Sequence, residues 1–142
     1  MAIRTATAHW QGTLADGTGT MRTGKGGLES NFSFKSRFEE GEGSNPEELI
    51  GAALAGCFSM ALSGALGRAG FNEVDINTTA NVHLDPVDGK PTVTKVDLDT
   101  TATVPDIDAA EFAKLAEETK QGCPISRLLS PGAEITLTAR LA

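Results

Sequence analysis

The sequence is poor in clustered basic residues, in cysteine and in apolar stretches near its start. Its 12 lysines and arginines stand singly against 19 acidic residues, for a net charge of −7. Scattered basic residues exclude a nucleic-acid footprint, which needs Lys and Arg gathered on one face. Two cysteines in 142 residues exclude a disulfide scaffold. Met1 to Trp10 contains no continuous apolar run, so a signal peptide is not expected and a soluble cytoplasmic protein is. Two widely separated histidines and two cysteines match no zinc spacing, and no metal is expected. No phosphate loop or dinucleotide fingerprint occurs, so neither a flavin nor a nicotinamide cofactor is expected. No repeat or low-complexity segment breaks the chain, and its length suits one domain over residues 1–142.

Against these absences stands one long uncharged stretch, Leu49 to Gly67. It begins like a helix with a fixed start: Asn45 as N-cap, Pro46 in the first position, and Glu48 placed to close a capping box. A surface helix would show a polar face, and this one shows none, so burial on every side is expected. It has the length of a membrane span, but Ala, Gly and Ser dominate over large aliphatics, which argues for a central core helix and against a membrane. Its small residues (Ala52, Gly56, Ser59, Ser63, Gly67) also suit close approach of a second helix across a dimer.

Strands and turns are expected before it. Ala2 to Trp10 alternates, Asp16-Gly17 reads as a hairpin turn, and Phe32, Phe34, Ser36 and Phe38 share one face of a strand with Ser33, Lys35 and Arg37 opposite. After it, Ile76 to Leu84 and Val96 to Val104 alternate as a hairpin across the breaker-rich segment Asp85 to Pro91. Asp108 to Glu111 is a capping box for a helix whose apolar side is Phe112, Leu115, Ala116 and Thr119. Cys123 and Pro124 open a short helix, and Ile135 to Leu141 ends as a strand. The sum is α+β, mainly antiparallel strands packed on a buried helix.

The two cysteines differ in setting. Cys57, mid-helix in an apolar run, reads as a small buried hydrophobe. Cys123, at a helix N-terminus, feels the positive end of the dipole, which favours thiolate. Local physics therefore nominates Cys123 as the reactive thiol. A thiolate at Cys57 would need a cation, because burial raises a thiol pKa by up to about 3–5 units. A guanidinium ~4 Å away returns about 4 kcal/mol at an effective dielectric near 20. Arg37 is a candidate, but it reads more readily as a solvated strand residue, and Glu47 reads equally as favourable charge at a helix start.

Arg37-Phe38-Glu39, Asn45 to Ala53 and Ala55 to Leu62 together resemble the OsmC branch of the OsmC/Ohr peroxidases. Gly122-Cys123-Pro124-Ile125-Ser126 resembles the family's second cysteine motif, and Ala8-His9-Trp10 and Glu134 to Leu137 match near the two ends. The resemblance implies a thiol peroxidase for organic hydroperoxides with no bound cofactor. Cys57 would be peroxidatic and Cys123 resolving, so that a sulfenic acid becomes an intramolecular disulfide. Arg37 would stabilise the thiolate, Glu47 would hold Arg37, and a dithiol of lipoyl type, free or on a lipoylated protein, would be the reductant. The implied fold is an intertwined homodimer, its antiparallel strands wrapped around long buried central helices. Phe38, Ile50, Leu54 and Met60 are the expected apolar collar for substrate, although each also reads as plain core.

Two other functions suit parts of the pattern. The same fold with merely structural cysteines would be a non-enzymatic dimeric binding module. A cysteine hydrolase would need His9 or His83 as base, and both lie in expected strands with no second motif near them.

Overall fold

The computed structural model describes all 142 residues, and the chain packs into two compact units, Met1–Leu49 and Ile50–Ala142. The first unit is a three-stranded antiparallel meander of β1 (Ala6–Gln11), β2 (Thr18–Thr23) and β3 (Glu29–Phe32), in that order. The turn after β1 is wider than Asp16-Gly17 alone. The Gly17 amide donates to the Thr13 carbonyl, 2.8 Å, and the Asp16 amide to the Thr13 hydroxyl, 3.2 Å. Trp10 and Phe32 stack with ring centroids 5.3 Å apart.

The strand expected over residues 32–38 ends at Phe32. A short helix, α1 (Phe34–Phe38), replaces its second half. Ser33 accepts from the Ser36 amide at 3.1 Å, and the Ser36 hydroxyl accepts from the Ser33 amide at 2.9 Å. That reciprocal capping box turns the backbone helical and overrides the alternation. Phe34 and Phe38 then meet at i,i+4 with centroids 5.0 Å apart, where a strand would have put one more residue between pleats.

The helix α2 (Pro46–Arg68) starts where the sequence places it, with the Glu48 amide donating to the Asn45 side-chain oxygen at 2.9 Å. The Glu48 carboxylate accepts from the Ser44 hydroxyl at 2.7 Å.

In the second unit, β4 (Asp75–Val87), β5 (Lys90–Thr103) and β6 (Glu134–Leu141) form one sheet in that order. The β4–β5 hairpin is tighter than expected, because both strands run through their prolines and pair Pro86 with Pro91. Only Asp88 and Gly89 turn the chain, both at positive φ, 50° and 75°, the pairing an Asp-Gly hairpin turn requires. β6 lies parallel to β5, so the sheet is mixed and not purely antiparallel. The crossover between them carries α3 (Ala109–Gly122) and α4 (Pro124–Leu129). Asp108 caps α3 through the Ala110 and Glu111 amides, and Phe112, Ala116 and Thr119 are its buried side.

Leu54, Phe58, Leu62 and Leu66 of α2 are buried with Val96, Leu98, Ala102, Phe112 and Ala116 in one core. Gly51 brings α2 close to β4: a Cβ there would sit 3.2 Å from Val82 Cγ2. Beside Phe58, Ser59 donates to the Thr78 hydroxyl at 2.8 Å, and Thr78 bonds Thr100 at 2.9 Å. Apolar packing and this hydroxyl chain fix the rotation of α2 about its axis.

Burial on every side is not what the single chain achieves. Ala52, Ala53, Gly56, Met60 and Gly64 are exposed along the flank of α2 away from the core row. By length and composition α2 could cross a bilayer, with mean hydropathy 1.8, but Leu54, Phe58, Leu62 and Leu66 belong to the core row just described.

Candidate active site

In the first unit, α1 presents Arg37 and the first turn of α2 presents Glu47. The two are locked together: Arg37 Nη2 donates to Glu47 Oε1 at 2.7 Å, and Nε donates to Oε1 at 3.1 Å and Oε2 at 3.3 Å. The Glu47 side chain is 10% exposed and that of Arg37 38%. The pair is therefore partly dried and holds the guanidinium in one orientation. Phe38 adds a second restraint, with its ring centroid 5.2 Å from the Arg37 guanidinium carbon. The neighbouring Ser36 carbonyl accepts from the Asn45 side-chain amide at 3.1 Å, tying α1 to the residue that caps α2.

In the second unit, the core row of α2 and the N-terminus of α4 bring the cysteines together. Their sulfur atoms are 2.8 Å apart, in contact though both are free thiols. Cys123 is the N-cap of α4 with Pro124 at the first position, and it is buried, whereas Cys57 is half-buried. Burial pushes the Cys57 thiol up, and its hydrogen bond to Cys123 pushes it the same way, against a smaller opposite effect of the Ile125 amide. Burial also opposes ionisation of Cys123, but hydrogen bonding from Cys57 and the polarity of the Ser126 and Ile125 amides and of the nearby Ser126 hydroxyl together outweigh it and hold that thiol below its usual value. Within this unit Cys123 is the thiol held lower and Cys57 the one pushed up.

The other sequence candidates are dispersed. Leu54 is 0% exposed in the core, so its side chain lines no open collar in this conformation. Ile50 is half-buried, and Met60 stands 77% exposed on the open flank of α2. Phe38, 41% exposed, is spent on the Arg37 guanidinium and the Phe34 ring. His83 bonds Asp97 at 2.7 Å, and His9 is an exposed β1 residue paired across to Thr20. No group of three or more His, Cys, Asp and Glu side chains converges on a metal position.

Two features escaped sequence reasoning. One is the Phe38 contact with Arg37, hidden by reading that segment as a strand. The other is Ser126, a buried serine whose hydroxyl has no hydrogen-bond partner of ordinary geometry. Its place three residues after an N-cap cysteine was the available signal.

The family profile described as OsmC-like protein matches residues 39–138. The chain is also 50% identical over 135 residues to Peroxiredoxin OsmC of Escherichia coli strain K12, covering 94% of this chain and 93% of that protein. The chain belongs to the OsmC branch of the OsmC/Ohr family. A more distant member, the Organic hydroperoxide resistance protein of Xanthomonas axonopodis pv. citri strain 306, is 30% identical over 101 residues, covering 69% of this chain and 68% of that protein. Among solved structures, an organic hydroperoxide resistance protein OsmC from Legionella pneumophila aligns with a TM-score of 0.73 at 22% identity, covering 100% of both chains. The OsmC-like fold, with its mixed sheets and helices, is thus shared at a level where sequence identity has largely faded.

Proposed function

We propose that this OsmC-family protein is a cysteine-based peroxidase that reduces organic hydroperoxides to alcohols. One observation carries the reading: the two family cysteines lie in sulfur–sulfur contact, 2.8 Å apart, where oxidation of one is immediately met by the other. Cys57, the more exposed of the two, is the peroxidatic thiolate. It attacks the outer peroxide oxygen; the O–O bond breaks, the alkoxide takes a proton to become the alcohol, and Cys57 is left as a sulfenic acid. The Cys123 thiolate then attacks the Cys57 sulfur, hydroxide leaves and is protonated to water, and a Cys57–Cys123 disulfide remains. An external dithiol of lipoyl type, free or carried on a lipoylated protein, returns both thiols.

Burial holds the Cys57 thiol up, so a cation is required for this step. The role is assigned to Arg37 on the family resemblance, with Glu47 and Phe38 as the side chains that fix its orientation. The working unit is a homodimer, supported by the row Ala53, Gly56, Met60 and Gly64, which the chain leaves open on an otherwise apolar helix. Protection against oxidative stress suits both the chemistry and the relatives' names, and the proposed setting, with osmotic stress as a second trigger, is the reducing cytoplasm.

Steady-state turnover of tert-butyl hydroperoxide with dihydrolipoamide tests the reading. Turnover that vanishes in Cys57→Ser supports it. A folded parent with no turnover, and no oxidation of Cys57, would favour a binding module with structural cysteines.

A further inference from the structure

We propose that the Ser126 hydroxyl positions and stabilises the Cys123 sulfur as the leaving thiolate when a dithiol reopens the disulfide, so that the reductant attacks Cys57. The proposal rests on the peroxidase reading only for the origin of the disulfide.

Ser126 is 2% exposed, and its Oγ is the buried side-chain oxygen left without an ordinary partner. Leaving a buried hydroxyl unpaired costs about 1–3 kcal/mol, so an acceptor that appears only in one chemical state is the natural explanation. Ser126 occupies the third position of α4, and Cys123 is the N-cap. In a capping box that position reaches back to the N-cap backbone N–H, which here is given to the Thr119 carbonyl at 2.9 Å, so the sulfur is the N-cap group left for it. A neutral thiol or a disulfide sulfur accepts weakly; a thiolate accepts strongly. The hydroxyl therefore gains most when Cys123 carries charge. The depressed Cys123 thiol, to which this hydroxyl contributes, agrees with that geometry.

Access points the same way. Cys57 is half-buried and Cys123 is 1% exposed, so the sulfur open to an incoming thiolate is Cys57. In the exchange, the reductant thiolate bonds to Cys57 Sγ, the Cys57–Cys123 bond breaks, and its electron pair stays on Cys123. The second thiol of the dithiol, as thiolate, then attacks the reductant's own sulfur and releases Cys57; the reductant departs as a disulfide and its two protons end on the cysteines. A lower leaving-group pKa speeds the first step, and Ser126 acts there as a positioning residue.

The test uses protein oxidised chemically with diamide, so it stands whether or not hydroperoxides are substrates. Failure of the parent to oxidise with tert-butyl hydroperoxide would count against the peroxidase reading alone. Brief exposure of the oxidised parent to 2-mercaptoethanol, acid quenching and peptide mass mapping should place the mixed disulfide on Cys57. In Cys57→Ser, adding Ser126→Ala should raise the Cys123 pKa by about one unit, and Ser126→Thr should restore it. Reduction of the oxidised Ser126→Ala protein by dihydrolipoamide should slow about three- to tenfold. An adduct on Cys123 would overturn the proposal, with attack arriving through the cavity of about 420 Å³ lined by Ala61, Ala65, Arg68 and Cys123. An unchanged Cys123 pKa on loss of the hydroxyl would overturn it as well.

Discussion

Cys57 and Cys123 are 66 residues apart in the chain, yet their sulfur atoms touch at 2.8 Å. Each is held by a different device. Cys57 follows from the rotation of α2, which the Leu54, Phe58, Leu62 and Leu66 row and the Ser59–Thr78–Thr100 hydroxyl chain set. Cys123 follows from the break between α3 and α4, where Pro124 starts a new helix and leaves the cysteine as its cap. Neither sulfur depends on a flexible loop, so the pair is pre-organised for disulfide exchange.

The contact predicts a two-step titration. Followed by thiolate absorbance at 240 nm, the reduced protein should ionise first below the usual thiol value and again above it, because the first charge opposes the second. Replacing Cys123 by serine should remove the lower step. A single step at the ordinary value for two thiols would show the sulfurs to be uncoupled.

The Arg37–Glu47 pair makes a separate prediction. Glu47→Gln keeps the volume but loses the charge-assisted bonds, and should lower stability by about 1–3 kcal/mol, read as a shift of the urea midpoint. Arg37→Lys keeps the charge but not the two-pronged geometry, and should lower kcat/KM for tert-butyl hydroperoxide at least about tenfold. Unaltered kinetics in Arg37→Lys would take the arginine out of the mechanism.

A third prediction concerns pH. Asp97, on the sheet of the second unit, accepts from the Thr136 hydroxyl, from Lys95 and from His83, and these partners hold its carboxyl well below the usual carboxylate range. A carboxyl depressed on folding contributes stability above its unfolded pKa of about 3.9 and loses it as pH falls toward the folded value. The melting temperature of Asp97→Asn should therefore sit below the parent's by a constant gap above about pH 5, and the gap should narrow below about pH 4. A gap that widens in acid would contradict the network.

The open flank of α2 supplies a fourth. Gly56 has open space where a Cβ would stand, so Gly56→Arg should leave a single chain folded. Light scattering behind size exclusion should show a dimer for the parent and a monomer, with native circular dichroism, for Gly56→Arg. A dimeric variant, or a monomeric parent, would refute association through this flank.

Much of this was legible in the residues. Asn45-Pro46, Asp108 and Cys123-Pro124 mark helix starts through local hydrogen bonding and fixed φ, and all three hold. The residues 32–38 misled because alternation of Phe with polar residues also fits an i,i+4 aromatic pair, and one reciprocal serine cap decides between them. The parallel β5–β6 pairing could not be read at all, since strand direction depends on the path of α3 and α4 between them. Leu54 and Met60 share a helix and differ completely in exposure, because a helix apolar all round carries no mark of which row faces the core. The meeting of Cys57 with Cys123 rested on family resemblance, as no spacing rule connects residues so far apart.

The most direct test is intact mass spectrometry of reduced protein treated with one equivalent of an alkyl hydroperoxide, beside Cys57→Ser and Cys123→Ser. The parent should lose two hydrogens, Cys123→Ser should gain one oxygen, and Cys57→Ser should show no rapid change. Rapid oxidation of Cys57→Ser would contradict it and move the peroxidatic role to Cys123.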